Sequence, residues 1–468
     1  MGFFERILEF LPEVRKPTEQ RLSFGTKLKW TLIILVAFFV LSSIPLFGLG
    51  ENALSQFESL SVILGASFGS ILSLGIGPIV TASIVLQLLA GSGILKIDTT
   101  SKEGRAYFQG LNKVLTLFFI VFEAAIYVFM GGLAPSQALL GTAAYTSYQF
   151  LLVLQLCLGG VLVLYMDEVT SKYGFGSGVS LFIAAGVSAS LFIRAFSPLT
   201  SAGTLAFGTG EAPVGQVWVL FSSLISRNPL GAVLALSAIL ATIIVFVISV
   251  YTQAMKIEIP LSFGRVRGHG IRWPLRFLYT SNIPVILTAA LIANFQLWAR
   301  LLENWGHPFL GTYVGNTPAS GFVLWITPPN VIQGLITSSL RFADIAHAAT
   351  YAIFLIGGAV LFSVFWVQTS GMDASSQAKQ ILASGLQVPG FRRDPRVLEQ
   401  ILSRYIFPLT VLGGLSIGIL AALADISGAL VNGTSILLTV MIIYKLYEEV
   451  AQQHMVDMHP ALRKMMGE

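Results

Sequence analysis

Residues 54–89 read LSQFESLSVILGASFGSILSLGIGPIVTASIVLQLL. The stretch is apolar enough for a bilayer, yet it is badly built as a single spanning helix. It is longer than the about 20 residues that cross a hydrocarbon core. Gly75, Gly77 and Pro78 interrupt its middle, where proline removes a backbone donor and clashes with the preceding turn. From Ser59 to Gly77, nine of nineteen residues are Gly or Ser, which predicts loose packing. The pattern reads as a half-helix over 57–74, a break at Gly75–Pro78, and a full span from Pro78. A broken helix at membrane depth is tolerated only where it is buried in protein or lines a watery cavity. A pore or a binding site is therefore the working expectation.

The rest of the chain sets that stretch in a membrane. Of its 468 residues 54% are hydrophobic and only 11% charged, with a mean hydropathy of +0.78. A soluble domain carries about 25% charged residues. The single cysteine, Cys157, excludes an intrachain disulfide and a thiolate metal cluster. About thirty mostly polar residues precede the first apolar run, too many for the usual n-region of a signal peptide. Residues 3–11, FFERILEFL, have helical apolar spacing and suit either an interfacial helix or a helix packed on soluble parts of the same chain.

Hydropathy predicts ten spans, at 30–48, 78–95, 112–133, 147–166, 178–197, 230–252, 279–300, 346–368, 405–424 and 429–447. With this count, 24 of the 28 basic residues fall on the side of the N-terminus, and only Arg194, Arg227, Arg300 and Arg341 on the other. The bias predicts cytoplasmic termini. Two long basic loops, 253–278 and 369–404, face the same side. They read equally as positive-inside topology or as docking sites for a large anionic partner such as ribosomal RNA.

Short self-similarities suggest two halves, 1–225 and 226–468. Pro78-Ile79-Val80 in the second span echoes Pro284-Val285-Ile286 in the seventh. Gly176-Ser177-Gly178-Val179-Ser180-Leu181 in the fifth echoes Gly433-Thr434-Ser435-Ile436-Leu437-Leu438 in the tenth. Five spans per half force the second half to be inverted, and inverted repeats place the functional centre between halves. Enzyme chemistry is not visible. No Gly-Lys pair exists for a phosphate-binding loop, no HExxH occurs, and the five histidines lie in loops or at span ends. No metal or cofactor is expected. Glu123 is the one clear ionisable residue in mid-span, sparse for an ion-coupled transporter. The chain reads as a passive conduit, with a small-solute transporter of inverted repeats as the alternative.

Several segments resemble the SecY family, the large subunits of protein-conducting channels, and fit its archaeal and eukaryotic branch best. They are LPEVRKP (11–17), GIGPIVTASIVLQLL (75–89), DEVTSKYGFGSGVSLFIAAGV (167–187), SNIPVILTAALIANFQLW (281–298), VQTSGMD (367–373) and Tyr444-Lys445-Leu446-Tyr447-Glu448. The resemblance implies an all-α polytopic fold of ten helices in two inverted halves, with a re-entrant plug half-helix at about 57–71. It implies a non-enzymatic channel in the cell membrane that passes secretory polypeptides and releases membrane helices sideways. It also implies partners: a SecE-like (gamma) subunit, a small beta or SecG-like subunit, the ribosome, the signal sequence of the translocating polypeptide, and the lipid bilayer.

Matching positions assign a pore ring to Ile76, Val80, Val179, Ile183, Ile286 and Leu438. Hydropathy alone reads the same six as ordinary core aliphatics. A closed ring of branched apolar side chains would exclude water and so block ions. The lateral gate is expected between spans two and three and spans seven and eight, with Thr81, Glu123 and Asn294 as its polar cluster. The lesser alternative for Glu123 is a structural hydrogen bond to a neighbouring helix. Arg265, Arg267 and Arg392 match positions that face the ribosome in the family.

Overall fold

The computed structural model describes residues 13–18, 22–52, 54, 65–92, 94–95, 97, 101–200, 204–206, 211–263, 270–278, 280, 283–315, 317–383, 386–387 and 395–458. The interfacial helix expected at 3–11 lies outside them.

Each of the ten predicted spans is occupied by a helix. In order they are α1 (Phe24–Ser42), α2 (Gly77–Gly91), α3 (Lys102–Phe129), α4 (Ala143–Tyr173), α5 (Gly178–Phe196), α7 (Pro229–Ala254), α8 (Ile283–Asn304), α11 (Phe342–Thr369), α13 (Pro395–Ile426) and α14 (Gly433–Met458). Short helices fill the connections: α6 (Gln216–Ile225), α9 (Gly321–Trp325), α10 (Val331–Ile336) and α12 (Ala374–Ala383). Eight helices among the described residues are long and apolar enough to cross a membrane. The other two predicted spans are α2, of 15 residues, and α14, which turns charged from Lys445 onward.

Helix ends follow local chemistry. The Ser23 hydroxyl accepts from the Thr26 N–H at 3.3 Å, so α1 starts six residues before its apolar run. Pro78 sits in the first turn of α2, where its missing N–H has no intrahelical role.

The break before α2 differs from its prediction. Residues 71–76 are consecutive turns rather than the end of a half-helix. Gly65, Gly69 and Gly75 take φ of +51°, +97° and +52°, a region glycine enters freely. Serine hydroxyls then compete for backbone groups, as short polar side chains do. Ser70 Oγ donates to Ser67 O at 2.7 Å, and Ser73 Oγ accepts from the Gly69 N–H at 2.9 Å. The segment is not loose: Leu72, Ser73 and Leu74 are fully buried. Residues 57–64 of the expected half-helix lie outside the described residues.

The basic loops also differ from featureless connections. Strands β3 (Lys256–Phe263) and β4 (Gly270–Arg276) form an antiparallel hairpin, with Lys256 opposite Arg276 and Ser262 opposite Gly270. Strand β7 (Leu386–Gln387), from the second loop, adds to β3 through Ser262 and Phe263. One small sheet thus joins both loops. Elsewhere β1 (Glu51–Asn52) pairs with β2 (Leu133–Ala134), and β5 (Tyr313–Val314) with β6 (Thr317–Pro318).

The largest buried apolar cluster draws on α1, α2, α4, α5, α7, α8, α11, α13 and α14. A second joins α3 and α4 to the end of α8, and a third ties α12 to α11 and α13. Helix α2 packs against α3, α8 and α11, while α5 packs against α14.

Candidate functional site

All six expected ring residues meet in the central apolar cluster. Ile76, Val80, Ile183, Ile286 and Leu438 are buried members, and the partly buried Val179 packs on it. Their positions follow from helix starts. Ile76 immediately precedes α2, and Val80 accompanies it one turn later; the Val80 N–H donates to Ile76 O at 3.0 Å. Val179 and Ile183 lie in the first turns of α5, Ile286 in the first turn of α8, and Leu438 in the second turn of α14. The described start of the plug-side segment abuts the same place. A Cβ added at Gly65 would lie 3.7 Å from Ile76 Cγ2 and 3.6 Å from Phe182 Cβ. Below it, α4 touches the turn so closely that a Cβ at Gly159 would come within 1.9 Å of Ile71 O.

Thr81, Glu123 and Asn294 also come together. The Thr81 hydroxyl is 2.9 Å from both Gly77 O and Glu123 Oε1 and is shared as a donor between them. Asn294 Nδ2 donates to Thr81 Oγ1 at 3.0 Å. Helices α2, α3 and α8 are thereby tied through one hydroxyl. The network is incomplete: Glu123 Oε2, Asn294 Oδ1 and the nearby Tyr127 OH have no hydrogen-bond partner within the described protein. Buried polar groups usually have partners, so this seam is held weakly. Where α2 meets α11 the packing is close. A Cβ at Gly91 would lie 2.5 Å from Phe365 Cδ1.

Arg265, Arg267 and Arg392 lie outside the described residues. What is visible is that the strands flanking them join in one sheet. Sequence reasoning missed two carboxylates, one half-buried and one buried. Asp425 lies in the last turn of α13, one residue beyond the predicted ninth span, and is buried. Asp167 sits in α4, one residue beyond the predicted fourth span. Both accept backbone N–H groups from the helix that follows. An ionisable residue at the edge of a hydropathy window was the available signal. The amino-terminal Glu13-Val14-Arg15 is strapped to α4: Lys172 Nζ donates to Glu13 Oε1 and Val14 O, both at 2.6 Å, and the Val14 N–H donates to Glu168 Oε2 at 2.9 Å.

A family model described as SecY matches residues 70–447. The chain belongs to the SecY family. A second model, described as the plug domain of Sec61p, matches residues 36–69. A SecY-family relative from Methanothermobacter thermautotrophicus, a protein translocase subunit SecY, is 45% identical over 99% of this chain and 98% of its own length. A relative of the same name from Pyrococcus furiosus is 43% identical over 98% and 97%. Among solved structures, a protein-conducting channel superposes with a TM-score of 0.81 at 39% identity, covering 97% of this chain and 98% of its own. Sec61 from a canine ribosome–channel complex superposes at 0.78 with 39% identity, again over 97% and 98%. The SecY-family fold of membrane-embedded helices is thus common to this chain and to channels, and the small-solute transporter reading finds no support among these relatives.

Proposed function

We propose that the chain is the pore-forming subunit of a protein translocation channel. It passes secretory polypeptides through the centre and releases membrane-protein helices sideways into the bilayer. The observation that carries this reading is the seam. One neutral hydrogen bond, Asn294 to Thr81, links α8 to α2 beside a cluster that gathers every ring residue. A seam so lightly tied can part for an apolar segment, which replaces its packing with its own surface. The branched ring offers no fixed hydrogen-bond partner, so it seals without selecting a sequence, and water is excluded from it when closed.

The remaining roles follow. Ile76, Val80, Val179, Ile183, Ile286 and Leu438 form the ring. Thr81, Glu123 and Asn294 form the gate cluster, and the segment around 57–71 is the plug. The halves 1–225 and 226–468 meet at the turn between α6 and α7 and act as two jaws. The chain resides in the cell membrane with both termini cytoplasmic and works without catalysis. Its basic loops, carrying Arg265, Arg267 and Arg392, dock the ribosome; the sheet that joins them supports a single platform. A SecE-like subunit and a small beta or SecG-like subunit complete the complex.

The test uses a secretory chain stalled on the ribosome and a photoreactive or thiol-reactive probe, with Cys157→Ser as background. Ile183→Cys should give an adduct to the nascent chain, whereas a lipid-facing position such as Phe246→Cys, which is exposed, should not. Equal labelling at both positions, or none at Ile183→Cys, overturns the proposed path.

A further inference from the structure

The echo between the fifth and tenth spans has a structural counterpart, two residues later in α5 than the sequence match, that involves two residues outside both ring and gate. In α5 the Val179 N–H donates to Asp167 Oδ1 at 3.0 Å, and Ser177 Oγ donates to the same oxygen at 3.4 Å. In α14 the Thr434 N–H donates to Asp425 Oδ1 at 2.7 Å, and the Thr434 hydroxyl donates to Asp425 Oδ2. The start of α5 does not rely on its own N-cap, since Ser177 makes no side-chain cap bond. The acceptor comes instead from the end of the preceding helix. It satisfies N–H groups that a helix start leaves unpaired and places a carboxylate at the positive end of the helix dipole.

The correspondence extends in both directions. The residue before the held N–H is glycine in each case, and each glycine presses on the preceding helix. A Cβ at Gly178 would lie 2.6 Å from Asp167 Cα, and one at Gly433 would lie 2.1 Å from the carbonyl carbon of Ala424. Ring residues Ile183 and Leu438 each come four positions after the held N–H, about 6 Å along the axis. We propose that Asp167 and Asp425 are matched positioning residues, each fixing the depth of one ring helix so that Ile183 and Leu438 meet at the seal.

Two further observations sharpen the case for Asp425. The neighbouring hydroxyls of α14, on Ser435 and Thr439, are buried without partners among the described residues. Asp425 is therefore the polar anchor of this buried helix start. It also accepts from the Tyr351 hydroxyl of α11, and α11 packs on gate helix α2. A displacement at the seam thus reaches Leu438 through one carboxylate. Asp167 has no corresponding tie to a gate helix among its described partners.

The inference rests on the ring reading, and the experiment separates the two. The complete complex is reconstituted in planar bilayers and its resting ion conductance measured. Asp425→Leu keeps the branching of the side chain but removes the acceptor; Asp425→Asn keeps an oxygen that can accept the Thr434 N–H. Leaving the buried donors at the helix start without an acceptor should raise resting conductance at least about tenfold in Asp425→Leu and leave Asp425→Asn within about twofold. In a Cys157→Ser background, Asp425→Leu should also increase labelling of Leu438→Cys by a membrane-impermeant thiol reagent. A residue that merely stabilises the fold would lower the melting temperature without moving conductance or labelling. Leu438→Asn is the control for the ring. If it conducts and Asp425→Leu stays sealed, the positioning role is wrong; if it stays silent, the ring reading itself fails. Should Asp425→Leu not assemble, the pair Asp167→Leu and Asp167→Asn, read at Ile183→Cys, decides the same question by the same contrast.

Discussion

Replacing Thr81 by valine should weaken closure far more than replacing its partner Asn294. Thr81 Oγ1 is the hub. It donates to Glu123 Oε1 and accepts from Asn294 Nδ2. Thr81→Val keeps the shape and removes both bonds at once. Glu123 already has one unpartnered oxygen and Asn294 an unpartnered carbonyl, so both side chains would then be buried with nothing to bind. In the parted seam the same groups reach water, so the cost falls on the closed state alone. Interhelical hydrogen bonds in membranes average about 0.6 kcal/mol, giving a floor of about 1.2 kcal/mol for two, an eightfold rise in the open-to-closed ratio. At about 2 kcal/mol for each orphaned buried group the shift is about 4 kcal/mol, close to 900-fold.

Asn294→Leu, by contrast, removes one neutral bond together with an orphaned carbonyl. An apolar group of similar shape leaves the seam nearly as stable. The assay is secretion of a reporter whose signal sequence has been made less apolar, in parallel with single-channel open probability. Thr81→Val should rescue the reporter and raise open probability at least about eightfold, and Thr81→Val with Asn294→Leu should fall back toward the parent. If Thr81→Val behaves as the parent while Asn294→Leu opens the channel, the assignment of Thr81 as hub is refuted.

Two further outcomes are expected. Gly159→Ala places a methyl against Ile71 O, which forces α4 off the turn that leads to Ile76. A loss of about 1–3 kcal/mol, as for overpacked cores, should appear as a lower melting temperature together with a raised resting conductance. The Lys172 hydrogen bond holds the Glu13 carboxyl below its ordinary value of 4.5. A depressed carboxylate contributes its stability above the ordinary value and loses it as pH falls through the lowered one. The amino-terminal strap should therefore loosen only below about pH 4.5, read as faster hydrogen exchange at the Val14 amide after correction for intrinsic rate; exchange that accelerates already near neutrality contradicts this.

Much of the fold was legible because a bilayer simplifies the reading. Apolar runs of span length and a basic bias on one side locate ten helices before any packing is known. Two positions of the proposed ring carry a local signal: Pro78 and Pro284 mark equivalent helix starts, and Val80 and Ile286 each follow two residues later. The segment at 65–76 was misread because hydropathy registers Leu72, Leu74 and Ile76 as helical surface. The three positive-φ glycines and the serine hydroxyls decide otherwise. The hairpin at 256–276 carried its own signal, the alternation Lys256-Ile257-Glu258-Ile259, which was masked by attention to charge. Its union with β7 pairs residues more than a hundred positions apart, and no local pattern announces that. Asp167 and Asp425 escaped because span prediction stops where charge begins, although a helix does not.

The central claim is that an apolar ring, rather than a binding site, forms the barrier. The most direct measurement is resting ion conductance of the reconstituted complex when Ile76, Val80 and Ile286 are replaced together by asparagine. A polar ring should wet and conduct at rest, while secretion of intact substrates continues. A complex that remains silent at rest with that triple replacement, yet is assembled and secretion-competent, would contradict the account.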